Sequence, residues 1–139
     1  MNQELIFQPF FILMLLTIVV WFYMYTKRIP FIEKSNIPPD QLTPYELLRS
    51  SPPDVANPSD NLKNLFELPV LFYALCFYLY IANEVDQIAL VTAWIFVVLR
   101  ILHSLVHCTV NIPMLRFGLY SVSALALWFM VLREAWNIF

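Results

Sequence analysis

The chain has 139 residues, about the length of one domain, and its composition is typical of a membrane protein. Hydrophobic residues make up 60% and charged residues 13%, and the mean hydropathy is +0.68. A soluble domain carries about 25% charged residues. The single glycine and the net charge of -2 exclude a glycine-rich nucleotide-binding loop and a basic surface for nucleic acid. Cys76 and Cys108 lie in or beside apolar segments and imply no disulfide framework.

Apolar segments predict four transmembrane helices, at about residues 5–25, 64–82, 87–107 and 114–132. The first segment carries no charge and is long enough to cross a bilayer core of about 30 Å. The short connections at 83–86 and 108–113 make the last three helices antiparallel neighbours. We therefore expect an all-α fold, an up-and-down four-helix transmembrane bundle that forms a single membrane domain over residues 1–139.

Residues 26–63 differ in composition, with seven of the ten prolines and five of the eight Lys and Arg residues. Proline at this density breaks membrane helices, so we expect an extramembrane loop. Within it, residues 44–50 predict one or two helical turns, with Thr43 as the cap and Pro44 at the first helical position. The basic residues place this loop in the cytoplasm and both termini outside. The compact length favours a bacterial inner membrane.

Ionisable side chains in membrane helices are costly and mark functional sites. In the last three spans they fall in one layer next to the proline-rich loop, and the opposite end of these spans has none. Helical spacing puts the members from each helix on a single face, and we expect Tyr120 to lie deeper in the membrane. Two arginines against one glutamate suit an anionic, partly apolar ligand. The layer comprises Asn64, Glu67, Arg100, His103, His107 and Arg116.

Other interpretations of this layer stay open. In one, Glu67 and Arg100 form a structural ion pair between two spans, and the other polar side chains hydrogen-bond between helices. In another, His103 and His107, four residues apart on one helix, form a metal pair completed by Glu67 or Cys108. The presence of only two histidines excludes a di-iron desaturase-like centre, and we expect no metal among the ligands of this layer.

Two segments and one arginine resemble a known family, the membrane-associated proteins in eicosanoid and glutathione metabolism (MAPEG). Residues 64–69, N-L-F-E-L-P, are similar to the family's N-x-x-E-x-P at the start of the second span. Residues 100–107, R-I-L-H-S-L-V-H, are similar to its R-x-x-H/Y-x-x-x-Y segment. Arg116 resembles the arginine that activates the glutathione thiol in catalytic members. The resemblance covers roughly residues 60–132.

The resemblance implies a homotrimer that binds glutathione as a co-substrate in a cleft between subunits. It implies transfer of the glutathione thiolate to a hydrophobic electrophile from the bilayer, or reduction of that molecule. Arg116 would lower the thiol pKa, and His107 would orient the sulfur. The tripeptide itself would be bound by Asn64, Glu67, Arg100 and His103.

Asp60 departs from the family pattern, which has an arginine four residues before the asparagine. A carboxylate at this position would repel a carboxylate of glutathione. The alternative function is a non-catalytic membrane scaffold, or a binder of another anionic amphiphile, in which the polar layer is structural. On the fourth span, the small residues Gly118, Ser121 and Ala124 permit the close approach of another helix, in this chain or another.

Overall fold

The computed structural model describes all 139 residues, and every regular element is helical. The elements are 3-10 turns at Gln3–Ile6 and Pro39–Gln41 and the helices α1 (Phe7–Lys34), α2 (Pro44–Ser50), α3 (Pro53–Asn64), α4 (Leu68–Ala82), α5 (Gln87–Cys108) and α6 (Pro113–Ile138). Four stretches are long and apolar enough to cross a membrane: Gln3–Lys34, Pro53–Ala82, Gln87–Cys108 and Pro113–Ile138. The prediction of an all-helical protein with four membrane helices is confirmed.

The bundle has two ends. At the loop end, α1 finishes, α3 leads into α4, and α5 is followed by α6. At the terminal end, the side chain of Gln3 hydrogen-bonds the backbone N–H and carbonyl of Val85, at 2.8 and 3.2 Å. Arg133 near the end of α6 forms an ion pair with Asp86 there. Between the ends, α5 packs along α6, and α1 packs against α3 and α5.

The core consists of apolar side chains from all four long helices. Phe72 of α4 and Phe96 of α5 are fully buried, with ring centroids 4.8 Å apart. Large apolar side chains also cover the outside of the bundle, for example Phe11 and Val19 on α1 and Leu125 on α6. Continuous apolar surface of this kind is normally covered by lipid or by another subunit.

The first helix is longer than the predicted span of residues 5–25. It begins at Phe7, continues through Pro30 and ends at Lys34. A helix of 28 residues is about 42 Å long, which exceeds a hydrocarbon core of about 30 Å. The last turns of α1 therefore extend beyond the apolar layer.

The expectation of a loop over residues 26–63 is wrong for most of that segment, because α2 and α3 lie within it as well as the end of α1. Proline takes the first helical position in both α2 and α3, where its missing N–H is not needed. The Thr43 hydroxyl accepts a hydrogen bond from the Glu46 N–H (3.2 Å), so the predicted cap at 44–50 is confirmed. Prolines here begin helices more often than they interrupt them.

The predicted span at 64–82 is interrupted near its start, where α3 ends at Asn64 and α4 begins at residue 68. Pro69 accounts for the break, because it has no N–H to donate and disfavours helical backbone just before it. The backbone of Glu67 lies outside the helical region (φ -96°, ψ -104°). At the break, the Asn64 carbonyl accepts a hydrogen bond from Nη2 of Arg100 in α5 (2.7 Å) as well as one from the Glu67 N–H (3.4 Å).

Candidate functional site

A cavity of about 370 Å³ lies at the loop end, among α3, α5, α6 and the break before α4. This volume is within the range of about 300–1,000 Å³ found for small-molecule sites. Five of the six predicted site residues line it, and only Arg100 does not. The lining side chains are Asp60, Lys63, Asn64, Glu67, His103, His107, Arg116, Phe117 and Tyr120.

Helical periodicity brings these side chains together. Four lining residues come from α3 and the break after it: Asp60, Lys63, Asn64 and Glu67. Their i, i+3, i+4, i+7 spacing is the spacing of side chains on one helical face. His103 and His107 lie one turn apart on α5. Tyr120 lies one turn after Arg116 on α6 and lines the cavity. The expectation that it lies deeper in the membrane than the polar layer is therefore wrong.

Arg100 lies behind the cavity wall and is completely buried. Its guanidinium carbon lies 5.1 Å from the centre of the Tyr120 ring, and its Nε and Nη1 atoms have no hydrogen-bond partner. No carboxylate lies within 4 Å of it, so the structural ion pair with Glu67 is not formed. Glu67 is exposed, and its Oε2 accepts a weak hydrogen bond from the Tyr120 hydroxyl (3.5 Å).

The two histidines present unpartnered ring nitrogens. Nδ1 of His103 lies 3.0 Å from the Arg116 carbonyl oxygen, and since a carbonyl only accepts, Nδ1 carries the proton. His103 Nε2 and His107 Nδ1 are buried and have no partner in this chain. Buried polar atoms normally have one, so these two nitrogens are exceptions within this chain. No group of three or more His, Cys, Asp or Glu side chains is placed to hold a metal ion.

Two asparagines hold the side chain of Arg116. Its Nη1 donates to Oδ1 of Asn111 (2.6 Å), and Nδ2 of Asn111 donates to Oδ1 of Asn57 in α3 (3.1 Å). Asn111 has a left-handed backbone (φ 45°), which asparagine tolerates better than most residues. Its N–H donates to the Val106 carbonyl (2.7 Å). The connection between α5 and α6 therefore determines where the guanidinium lies.

The charges at the cavity add up to a small positive excess. Asp60 and Lys63 form an exposed ion pair (2.9 Å) on α3. Glu67 and Arg116 also line the cavity, and Arg100 lies behind it. Three cations against two carboxylates leave a net charge of +1, in a site that is partly shielded from solvent. Such an environment favours an anionic ligand.

One buried asparagine next to the site was missed by the sequence analysis. Asn61 of α3 is fully buried, accepts a hydrogen bond from the Ser104 hydroxyl (3.2 Å) and directs its Nδ2 to Sγ of Cys108 (3.5 Å). These contacts fix α3 against α5 beside the cavity. The sequence contained one signal for Asn61: it lies three residues before Asn64, a spacing that places the two side chains next to each other on one helix.

The terminal end also carries charge, because α6 extends beyond the predicted span at 114–132. Glu134 is buried there, and Arg133 lies between it and Asp86. Asp86 caps α5 by accepting the Ala89 N–H (2.8 Å). Burial alone would raise the pKa of the Asp86 carboxyl, but the hydrogen bonds from Ala89 and Arg133 outweigh that effect and hold the pKa below its ordinary value.

The sequence model of the MAPEG family matches residues 6–136, which is nearly the whole chain. The chain belongs to the MAPEG family. The resemblance that residues 64–69 and 100–107 indicated is therefore confirmed at the level of the family. No curated protein and no solved structure matches this MAPEG protein.

Proposed function

We propose that this MAPEG protein binds glutathione in the cavity at the loop end and activates its thiol for transfer to a hydrophobic electrophile. One observation carries the proposal: five residues that the resemblance to the family assigns to glutathione line a single cavity, although they come from three separate segments of the chain. These residues are Asn64, Glu67, His103, His107 and Arg116.

The polar groups of the cavity suit a tripeptide with an amino group, two carboxylates and two amides. The exposed carboxylate of Glu67 would pair with the amino group, and the Asn64 amide would hydrogen-bond a peptide group. His103 also lines the cavity and would contact the tripeptide there. Arg100, behind the wall, would contribute its charge and position Asn64.

Arg116 would activate the thiol. A guanidinium close to the sulfur stabilises the thiolate and lowers the thiol pKa. His107, which also lines the cavity, would hydrogen-bond the sulfur and orient it. The thiol proton leaves to solvent, and the sulfur then forms a bond to an electrophilic carbon. The leaving group departs with the bonding electrons, or, in an addition, the adjacent atom takes up a proton.

We infer a homotrimer, in which a neighbouring subunit completes the cavity and bilayer-borne electrophiles enter between subunits. The number three follows from the family resemblance. An interface on α6 is supported by Gly118, because a Cβ atom added there would meet no atom within 4 Å. No other helix of the same chain thus covers α6 at Gly118. Native mass spectrometry in mild detergent should give three chains per complex, and a monomeric mass from folded protein would remove the intersubunit site.

We also propose a bacterial inner membrane location, with the loop end in the cytoplasm and both termini outside. Lys27, Arg28, Lys34, Arg49 and Lys63 all belong to the segments at the loop end, as the positive-inside rule requires of a cytoplasmic face. A reporter fused after residue 139 should be active outside the cytoplasm. Cytoplasmic activity of the fusion would reverse the orientation.

Asp60 favours a second candidate, a scaffold or a binder of another anionic amphiphile. It lines the cavity where the family pattern has an arginine, so the site has lost one cation and gained one carboxylate. In this alternative the polar groups hold the helices together, and glutathione does not bind.

Thermal unfolding with and without glutathione tests the proposal. A ligand at about 100 times its dissociation constant stabilises the folded state by about 2.7 kcal/mol, which a melting experiment detects. The wild type and Arg49→Leu, which removes an exposed cation on α2 outside the cavity, should both be stabilised. Arg116→Leu should be stabilised less. Stabilisation of the wild type by an anionic amphiphile but not by glutathione would favour the second candidate.

A further inference from the structure

A second cavity, of about 580 Å³, lies at the loop end among α1, α2 and α3 and shares only Lys63 with the first. Eight of its twelve lining residues are hydrophobic, and none is an acid. Its apolar walls include Trp21 on α1, Leu48 on α2 and Leu62 on α3. Its cations are Lys63 and Arg28, the latter on α1. The cavity is therefore amphipathic, with positive charge and no negative charge.

The cation of Arg28 has no counter-ion. Its side chain is half-buried, and Nη2 donates to the Ser59 hydroxyl (2.8 Å). Nε is buried without a hydrogen-bond partner, and no carboxylate lies within 4 Å of the guanidinium. The Lys63 ammonium is paired with Asp60. A partly buried charge without a partner is unfavourable, so the geometry calls for an anion at Arg28.

The residue types on α1 indicate that the cavity lies at the depth of phospholipid headgroups. Trp21 and Tyr25 line it from the end of the apolar part of α1, and these residue types concentrate at membrane interfaces. Arg28 follows Tyr25 by three residues, which is about 4.5 Å further along the helix. An anion bound to Arg28 would thus lie where a lipid phosphate lies.

We propose that this cavity binds an anionic phospholipid of the surrounding bilayer. The phosphate contacts the guanidinium of Arg28, and the upper part of an acyl chain lies against Trp21, Leu48 and Leu62. The bound lipid holds α2 against α1 and α3. The inference does not depend on glutathione binding, since the first cavity and its ligand are not involved.

The test compares lipid retention by native mass spectrometry after reconstitution into phosphatidylglycerol and phosphatidylcholine with the same acyl chains. The wild type should retain phosphatidylglycerol about fivefold or more over phosphatidylcholine, given about 1 kcal/mol per basic residue at an anionic surface. Arg28→Leu should lose this preference. Lys27→Leu is the matched control, because the Lys27 ammonium lies over the Tyr23 ring outside the cavity and its removal should leave the preference intact.

A second variant fills the cavity and leaves Arg28 in place. Leu48 is 46% exposed, so Leu48→Trp should fold, and it should reduce retention of both lipids. The proposal is overturned if Arg28→Leu and Lys27→Leu weaken the preference equally, since the charge effect is then diffuse. It is also overturned if inorganic phosphate alone stabilises the protein as much as the lipid does, or if glutathione displaces the lipid.

Discussion

Asn111→Gly tests whether the position of Arg116 matters as much as its charge. The substitution removes the acceptor at 2.6 Å from the guanidinium and the contact to Asn57 at 3.1 Å. Glycine adopts φ 45° without strain, so the connection between α5 and α6 should keep its course. Arg116 retains its charge but loses the group that directs it toward the cavity.

The expected effect follows from the hydrogen bond that is lost. A hydrogen bond to a charged group is worth about 1.5–3 kcal/mol, and only part of this reaches the bound thiolate, because the guanidinium stays nearby. We expect the pKa of bound glutathione to rise by about one unit, or about 1.4 kcal/mol. Asn111→Asp should raise it further, because a carboxylate on the guanidinium offsets the positive charge that the thiolate needs.

The assay is the ultraviolet absorbance of the glutathione thiolate, titrated against pH with saturating ligand. Asn83→Gly is the matched control, since Asn83 is also left-handed (φ 59°) but caps α4 at the terminal end. It should leave the thiol pKa unchanged. If Asn111→Gly also leaves the thiol pKa unchanged while Arg116→Leu raises it, then Asn111 does not position Arg116.

Four further changes separate charge, binding and stability. Arg116→Leu should abolish the thiolate absorbance but still fold, because the guanidinium has no carboxylate partner and its removal leaves no buried charge unpaired; a normal thiolate band in this variant would contradict its role. Asp60→Arg should raise glutathione affinity, measured by calorimetry, about tenfold, since about 1–2 kcal/mol of repulsion is replaced by attraction; equal affinity would place the ligand away from Asp60. Glu67→Gln should weaken binding but leave the free energy of unfolding nearly unchanged, because the exposed Glu67 forms no ion pair; a loss of more than about 2 kcal/mol would indicate a buried pair. Asp86→Asn should lower stability at neutral pH by about 0.5–1 kcal/mol, as for other exposed pairs with Arg. The folded pKa of Asp86 is below its unfolded value, so this contribution is present above the unfolded pKa and is lost as the pH falls through the folded pKa. The melting temperatures of the wild type and of Asp86→Asn should therefore converge in acid. A difference between them that does not depend on pH would refute the stabilising role of the Asp86 carboxylate.

Hydropathy predicted the later spans well and the first half of the chain poorly. The third span was expected at 87–107 and is helical over Gln87–Cys108, because polar and proline-containing connections bound it closely. Over 26–63 the same rules failed, because five of the seven prolines lie at the cap or first position of a helical element, where proline is tolerated, and the helices continue through the other two, Pro30 and Pro58. Whether a proline lies at the first position of a helix or inside it depends on where the helix begins, and composition does not reveal that residue.

The layer of site residues could be predicted because helical spacing fixes which side chains share a face. The position of Arg100 could not, since it depends on the break at Pro69 and on the Tyr120 ring that covers the guanidinium. The support of Arg116 joins Asn57 to Asn111, 54 residues apart. No local pattern in the sequence connects these two asparagines.

The most direct test of glutathione binding and activation is the ultraviolet difference spectrum of the purified protein with glutathione at neutral pH. A thiolate band should appear and saturate for the wild type, and it should be absent for Arg116→Leu at glutathione concentrations that still stabilise the protein. The contradicting result is a wild-type protein that shows no thiolate band at any glutathione concentration, whether or not its melting temperature rises.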